Sequence, residues 1–177
     1  MATNGPFFRR AVPPDRTAFL AEIERRRAAL AEARAAGDGA AVRDAAGGLG
    51  SMLFWIEGSE GEAAALLSEA LALSRAQGDR TTEIDGLLGL GTAVQYLGER
   101  ERSVALFEEG LALCAASGIR GQEHFLLHHL GRCLVEMGRI EAARTAFEKA
   151  LAIRKTLGDP RFLGSTQAAL DDIAKMA

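Results

Sequence analysis

The residues best suited to chemistry lie in one stretch, Glu123-His124-Phe125-Leu126-Leu127-His128-His129, with Cys133 four residues beyond. It holds all three histidines of the chain. Imidazole and thiolate are zinc ligands, and a zinc site needs at least three of them converging. On a helix, His124 and His128 share one face, while His129 and Cys133 share another turned by about 100°. One straight helix therefore offers two ligands to a side. A third would come from a neighbour such as Glu83, Asp85 or Cys114, or from a second subunit. The simpler reading is two polar residues facing a groove and one packed histidine, with no metal bound.

Other chemistry finds less support. Glu123 precedes His124, which is the wrong order for the His-Glu-x-x-His of zinc hydrolases. There is no Gly-x-Ser-x-Gly and no glycine loop placed after a strand to cradle phosphate. Adjacent acids such as Glu108-Glu109 and Asp171-Asp172 are expected on solvated helix faces, not in the contrasting environments that an acid–base pair needs. No enzyme and no cofactor are predicted. A net charge of −3 lacks the electrostatic footprint of a nucleic-acid binder. The one basic run, Arg25-Arg26-Arg27, follows Glu22 and Glu24 and is expected to be a solvated helix face. Two cysteines, Cys114 and Cys133, suit a reducing compartment, so a cytoplasmic location is expected. The N-terminus has no long apolar run, so neither a signal peptide nor a membrane span is expected. Residues 1–13, with Pro6 and Pro13, read as a flexible arm that Phe7 and Phe8 would pin to the body or to a partner. Richness in Ala, Gly, Arg and Leu hints at a bacterial source.

The elements that position these residues are set by a ladder of glycines. Gly58, Gly78, Gly98, Gly118, Gly138 and Gly158 stand twenty residues apart, and Gly37 is one residue out of step. A fixed period marks a stack of like units. Between the glycines the apolar residues recur at helical spacing, as in Ile140, Ala143, Phe147, Ala150 and Leu151. Each glycine reads as a helix stop needing positive φ. Start signals follow: Asp38 and Asp79 as N-caps, Ser59-x-x-Glu62 as a capping box, and Asp159-Pro160. The pattern predicts helices over 15–36, 39–57, 60–77, 80–97, 100–117, 120–137, 140–157 and 160–176, and no strand.

The full repeat is forty residues. Leu90-Gly91 matches Leu130-Gly131, Gly98 matches Gly138, Phe107 matches Phe147, and Leu111 matches Leu151. Leu49-Gly50, Gly58, Leu67 and Leu71 continue the series, with one residue inserted between Gly50 and Gly58. This spacing of Leu-Gly, turn glycine, Ala143, Phe147 and Ala150 resembles the tetratricopeptide repeat family in its longer, roughly forty-residue variety. Ser103 and Gly110 replace two alanines in the second copy. The resemblance implies an all-α fold: a right-handed superhelix of about 3.5 hairpins. One domain over 14–177 is expected, with repeats at 39–80, 81–120 and 121–160, an N-terminal capping helix and a C-terminal cap at 161–177. Gly50, Gly91 and Gly131 would let paired helices approach closely, with Leu67, Phe107 and Phe147 filling the space between hairpins.

The resemblance also implies function. In this family the first helix of each hairpin lines a concave face that binds protein or peptide. Counting from the motif glycines, the inner positions are Asp44, Gly47, Ser51, Phe54 and Trp55 in the first repeat. They are Asp85, Leu88, Thr92, Gln95 and Tyr96 in the second, and Phe125, His128, Arg132, Val135 and Glu136 in the third. Trp, Tyr and Arg carry interface hot spots. Positions used elsewhere in the family to clamp a chaperone's C-terminal carboxylate hold Gly47, Ser51, Gly89, Phe125 and His129 here, which argues against that ligand. The expectation is a non-enzymatic scaffold whose partner is a protein or peptide, with neither nucleic acid nor membrane. The alternatives are a small-molecule or metal sensor and a self-assembling unit such as a homodimer.

Overall fold

A computed structural model describes residues 13–158 and 160–176. Most of the arm expected over 1–13, and the Asp159 cap, lie outside the described residues. Eight helices are present among the described residues: α1 (Arg16–Ala36), α2 (Gly39–Leu53), α3 (Glu60–Gln77), α4 (Arg80–Tyr96), α5 (Arg100–Ser117), α6 (Glu123–Glu136), α7 (Ile140–Leu157) and α8 (Pro160–Ala174). No strand occurs among them.

The glycine ladder acts as expected. Gly37 and the six rungs at 58–158 all have φ between 68° and 87°, and they are the positive-φ residues among those described. Asp38 accepts from the amides of Ala40 and Ala41, and Asp79 from that of Thr82, so both cap as predicted.

Three expectations need correction. The Ser59 side chain makes no capping bond, and Glu62 instead pairs with Arg27 of α1. Helix α2 stops at Leu53 rather than 57, because the inserted residue is wound into a turn. There, Trp55 N–H bonds to Met52 at 3.1 Å and Ile56 N–H to Leu53 at 2.9 Å. Helix α6 begins at Glu123 rather than 120. Ile119 stands where α2 and α4 have a capping aspartate, and no side chain caps α6.

The helices pack in sequence as the hairpins α2/α3, α4/α5 and α6/α7, with α1 on α2 and α8 on α7. The even-numbered helices also approach one another, α2 on α4, α4 on α6 and α6 on α8, whereas the odd ones are held apart. The even helices thus form the closely spaced inner layer. Long side chains span the wider outer gaps: Arg34–Glu69 at 2.5 Å between α1 and α3, and Arg75–Glu109 at 2.5 Å between α3 and α5. Such exposed pairs contribute at most about 1 kcal/mol each. The arginine run is solvated only at Arg25: Arg25 and Arg26 both pair with Glu22, but Arg26 is half-buried against Gly48 of α2 and Arg27 reaches Glu62 of α3.

Within each hairpin a large side chain lies against a glycine. A Cβ built on Gly91 would sit 2.5 Å from the Phe107 ring, and one on Gly131 2.7 Å from that of Phe147. On Gly50 it would lie 2.7 Å from Leu67, which also reaches Gly89 of the next hairpin. Phe107 and Phe147 are fully buried.

The two kinds of glycine give a paired prediction. Gly138 has φ of 73° with nothing within 4 Å of an added Cβ. Gly138→Ala therefore carries only the left-handed backbone cost of about 1–2 kcal/mol. Gly61 in α3 is exposed, helical and equally unobstructed. Gly61→Ala should raise stability by roughly 0.5–1 kcal/mol. Urea denaturation of both variants checks this, and shifts of the same sign would refute the helix-stop role.

Candidate functional site

The inner layer carries an aromatic strip that crosses three helices. Where α2 ends, Phe54 lies 5.2 Å from Trp55 and 6.3 Å from Tyr96 of α4, the latter pair nearly parallel. Arg132 of α6 donates to the Tyr96 hydroxyl at 3.3 Å and sits 6.0 Å from its ring. The repeat places these residues together, since Tyr96 and Glu136 close equivalent helices and the insertion swings Trp55 into the same row. Phe54 and Arg132 are buried, while Trp55 and Tyr96 are half-exposed.

Below the strip is a polar bridge. Gln95 Nε2 donates to Glu136 Oε1 at 3.0 Å, and Arg100 Nε donates to Glu136 Oε2 at 3.2 Å. The Glu136 side chain is fully buried. The bridge ties α4, the start of α5 and the end of α6 into one relative geometry.

Gly47, which is half-buried, stands apart from the other fourteen inner positions named from sequence, and these divide by depth. Asp44 and Asp85 are exposed, and Ser51, Trp55, Leu88, Tyr96 and Phe125 are partly so. Phe54, Thr92, Gln95, His128, Arg132, Val135 and Glu136 are buried. The buried seven hold the inner layer together and offer little surface. Counting from the motif glycines does not give the depth, because adjacent even helices cover the edges of the counted face.

The histidine cluster divides differently from expectation. His124 and His128 are the packed pair and His129 is half-buried. His124 Nδ1 accepts from Arg154 Nε at 3.0 Å, and His128 Nδ1 lies 3.1 Å from Thr166 Oγ1. His129 turns instead to Thr92 of α4 at 3.3 Å, and Cys133 donates to the Arg100 carbonyl. His124 and His128 thus share Arg154 while His129 and Cys133 turn to other partners, and among the described residues no three His, Cys, Asp or Glu converge as metal ligands. Burial, then the Arg154 charge, lowers the affinity of His128 for a proton to a pKa of about 3. Burial and Arg154 lower His124 as well, and burial with Arg132 puts His129 well below its ordinary value. Burial pushes the Cys133 thiol up to about 11, so it is no ready nucleophile.

Arg154 of α7 organises this region and was not singled out from sequence. It is only 2% exposed, and burial lowers its pKa to about 10, so it stays charged at neutral pH. Its guanidinium donates to the Phe162 carbonyl at 3.0 Å, to Ser165 Oγ at 3.1 Å and to Thr166 Oγ1. It also lies 5.5 Å and 5.4 Å from the rings of Phe125 and Phe162. It thereby fastens α8 to the last hairpin through neutral partners. The available signal was an arginine at the buried helical phase that Ser74 and Cys114 occupy in the earlier repeats.

Among the described residues, no helix is long and apolar enough to cross a membrane. Residues 87–156 match the family model of the tetratricopeptide repeat. Comparison with curated proteins finds no match.

Proposed function

We propose that this chain, a member of the tetratricopeptide repeat family through residues 87–156, holds an extended segment of a partner protein along its inner face and catalyses nothing. Repeats of this family are in general protein-interaction scaffolds, and the family is typically non-catalytic. The observation that carries the choice of face is the strip Trp55–Phe54–Tyr96–Arg132, continuous over α2, α4 and α6. Its exposed members are the residue types that dominate interface energetics, and its buried members hold them rigid. Rigid anchors lose little entropy on binding. Asp44, Ser51, Asp85, Leu88 and Phe125, all at least partly exposed, would set the register of the segment.

The test uses peptides selected against the purified chain from a random displayed library, then measured by fluorescence anisotropy. Trp55→Ala and Tyr96→Ala should each weaken binding tenfold or more, equivalent to about 1.4 kcal/mol. Melting curves check that the variants stay folded. Selected peptides that bind a folded double variant as tightly as the parent would exclude this face.

A further inference from the structure

One inter-hairpin position has been emptied. Between the first two hairpins lies a hollow of about 230 Å³ on the inner face, bounded by α2, α3 and α4. Its walls include Gly47, Ser51, Ser74 and Gly86, with Asp44 and Asp85 at the mouth. The repeat shows what normally fills such a position. Forty residues on (forty-one across the insertion), Gly47 becomes Leu88, Leu67 becomes Phe107 and Gly86 becomes Leu126. Leu126 lodges over Gly110, within 2.8 Å of where a Cβ would stand. Between the last hairpin and α8 the same places hold His128, Phe147 and Thr166, with Arg154 in the place of Ser74. The hollow thus follows from small residues at particular positions and is not a general feature of the repeat.

Its charge is unbalanced. Arg43 also lines it, but that guanidinium is already committed to Asp44 at 2.8 Å, Gln77 at 2.5 Å and Asp79 at 3.2 Å. Asp85 takes part in no ion pair among the described residues. Its surroundings shield it enough to raise its carboxyl above the ordinary value, against a hydrogen bond from Gln122 that lowers it. At about 230 Å³ the space is smaller than the roughly 300–1,000 Å³ of metabolite pockets. It suits one side chain.

We infer that this hollow receives the arginine or lysine side chain of the bound segment, with Asp85 and Asp44 meeting its charge. The inference deepens the reading of the inner face as a peptide groove and rests on it. Between the last hairpin and α8 the chain's own Arg154 occupies the equivalent place, so the repeat accommodates a guanidinium there.

The test titrates N-acetyl-arginine amide into the ¹⁵N-labelled full chain, with the lysine, citrulline and glutamate analogues as further arms. Arginine or lysine should shift the amides of Gly47, Ser51 and Gly86 to saturation, and citrulline should bind at least tenfold more weakly. Asp85→Asn should weaken binding of the cation at least fivefold. Gly47→Leu, the residue the next hairpin carries, should abolish it. A Cβ at Gly47 would stand 3.6 Å from Ala70, an ordinary contact, so this variant is expected to fold and to melt no lower than the parent. Equal binding of citrulline, or full binding of both cations by Gly47→Leu, would overturn the inference. Selected peptides that need Tyr96 but ignore Gly47→Leu would remove the hollow and leave the groove. A cation that fills the hollow while peptides ignore Trp55 and Tyr96 would remove the groove alone.

Discussion

A methyl group added at Gly91 or Gly131 is expected to destabilise the chain by about 2 kcal/mol, although alanine is the better helix former by about 1 kcal/mol. The added Cβ would stand 2.5 Å from the Phe107 ring or 2.7 Å from that of Phe147. Both rings are fully buried and belong to the opposing helix of the hairpin, so relief requires the helices to part. Overpacking of this kind costs about 1–3 kcal/mol and occasionally more, which outweighs the gain in propensity. The converse change, Phe107→Ala, should cost about 3–5 kcal/mol, because it leaves a cavity against a glycine that cannot fill it. The decisive variant combines Gly91→Ala with Phe107→Leu, the side-chain type that opposes Gly50 in the first hairpin. It should be more stable than the sum of its single changes by more than 1 kcal/mol. Urea midpoints at unchanged slope report each value. A stabilised Gly91→Ala would mean that the hairpin is not closely packed there.

These glycines also show how much of the fold is legible in the sequence. Two chemically identical residues serve opposite ends, and only their phase tells them apart. The rungs take positive φ, while Gly50, Gly91 and Gly131 keep helical backbone and give up a side chain. The departures from the pattern are explained in structure. Ser103, in an alanine's place, donates from Oγ to the Gly91 carbonyl at 2.7 Å across the hairpin. Gly110, in another alanine's place, makes room for Leu126. Helix ends were less legible after Gly118, where Ile119 replaces the aspartate that caps α2 and α4, and where an extra residue was absorbed, as after Leu53.

The depth of the candidate site residues was not legible in the sequence. Helical phase assigns Gln95, Glu136 and Arg132 to the inner side, but their burial depends on how closely the even helices approach, which is a tertiary quantity. Arg154 escaped notice because a lone arginine on a helix usually reaches solvent. Its burial follows from Phe162, Ser165 and Thr166 closing over it, and these lie on another helix.

That closure gives the chain an acid weakness above the range in which carboxylates titrate. His128 is enclosed by Arg154 of α7, Thr166 of α8, the edge of Phe147 at 5.4 Å, and Arg132 and His124 of its own helix. In the fold its pKa is lowered to about 3, whereas the unfolded chain has the ordinary value of about 6.5. Between these values the unfolded state binds a proton that the native state refuses. Stability must therefore fall as pH drops below about 6.5, by about 1.4 kcal/mol per unit for this one group. At pH 5 the loss from His128 is about 2 kcal/mol, and His124 and His129 shift in the same direction and add to it. Carboxylates held low, such as Glu62 by Arg27 and Asp79 by the Thr82 amide, withdraw their support only below about pH 4.5, so they do not contribute in this window. Net charge predicts the reverse. At −3 the chain is mildly self-repelling at neutral pH, and histidine protonation would relieve that. Urea denaturation between pH 7 and 5 should show a loss of at least 2 kcal/mol. His128→Gln, which keeps an acceptor for Thr166 and Arg154, should flatten the profile by about that amount. Amide exchange should show α8 opening first, since its docking runs through Arg154 and the two histidines behind it. A profile that is flat from pH 7 to 5, or one unchanged by His128→Gln, would mean that His128 takes up its proton without leaving the packed cluster.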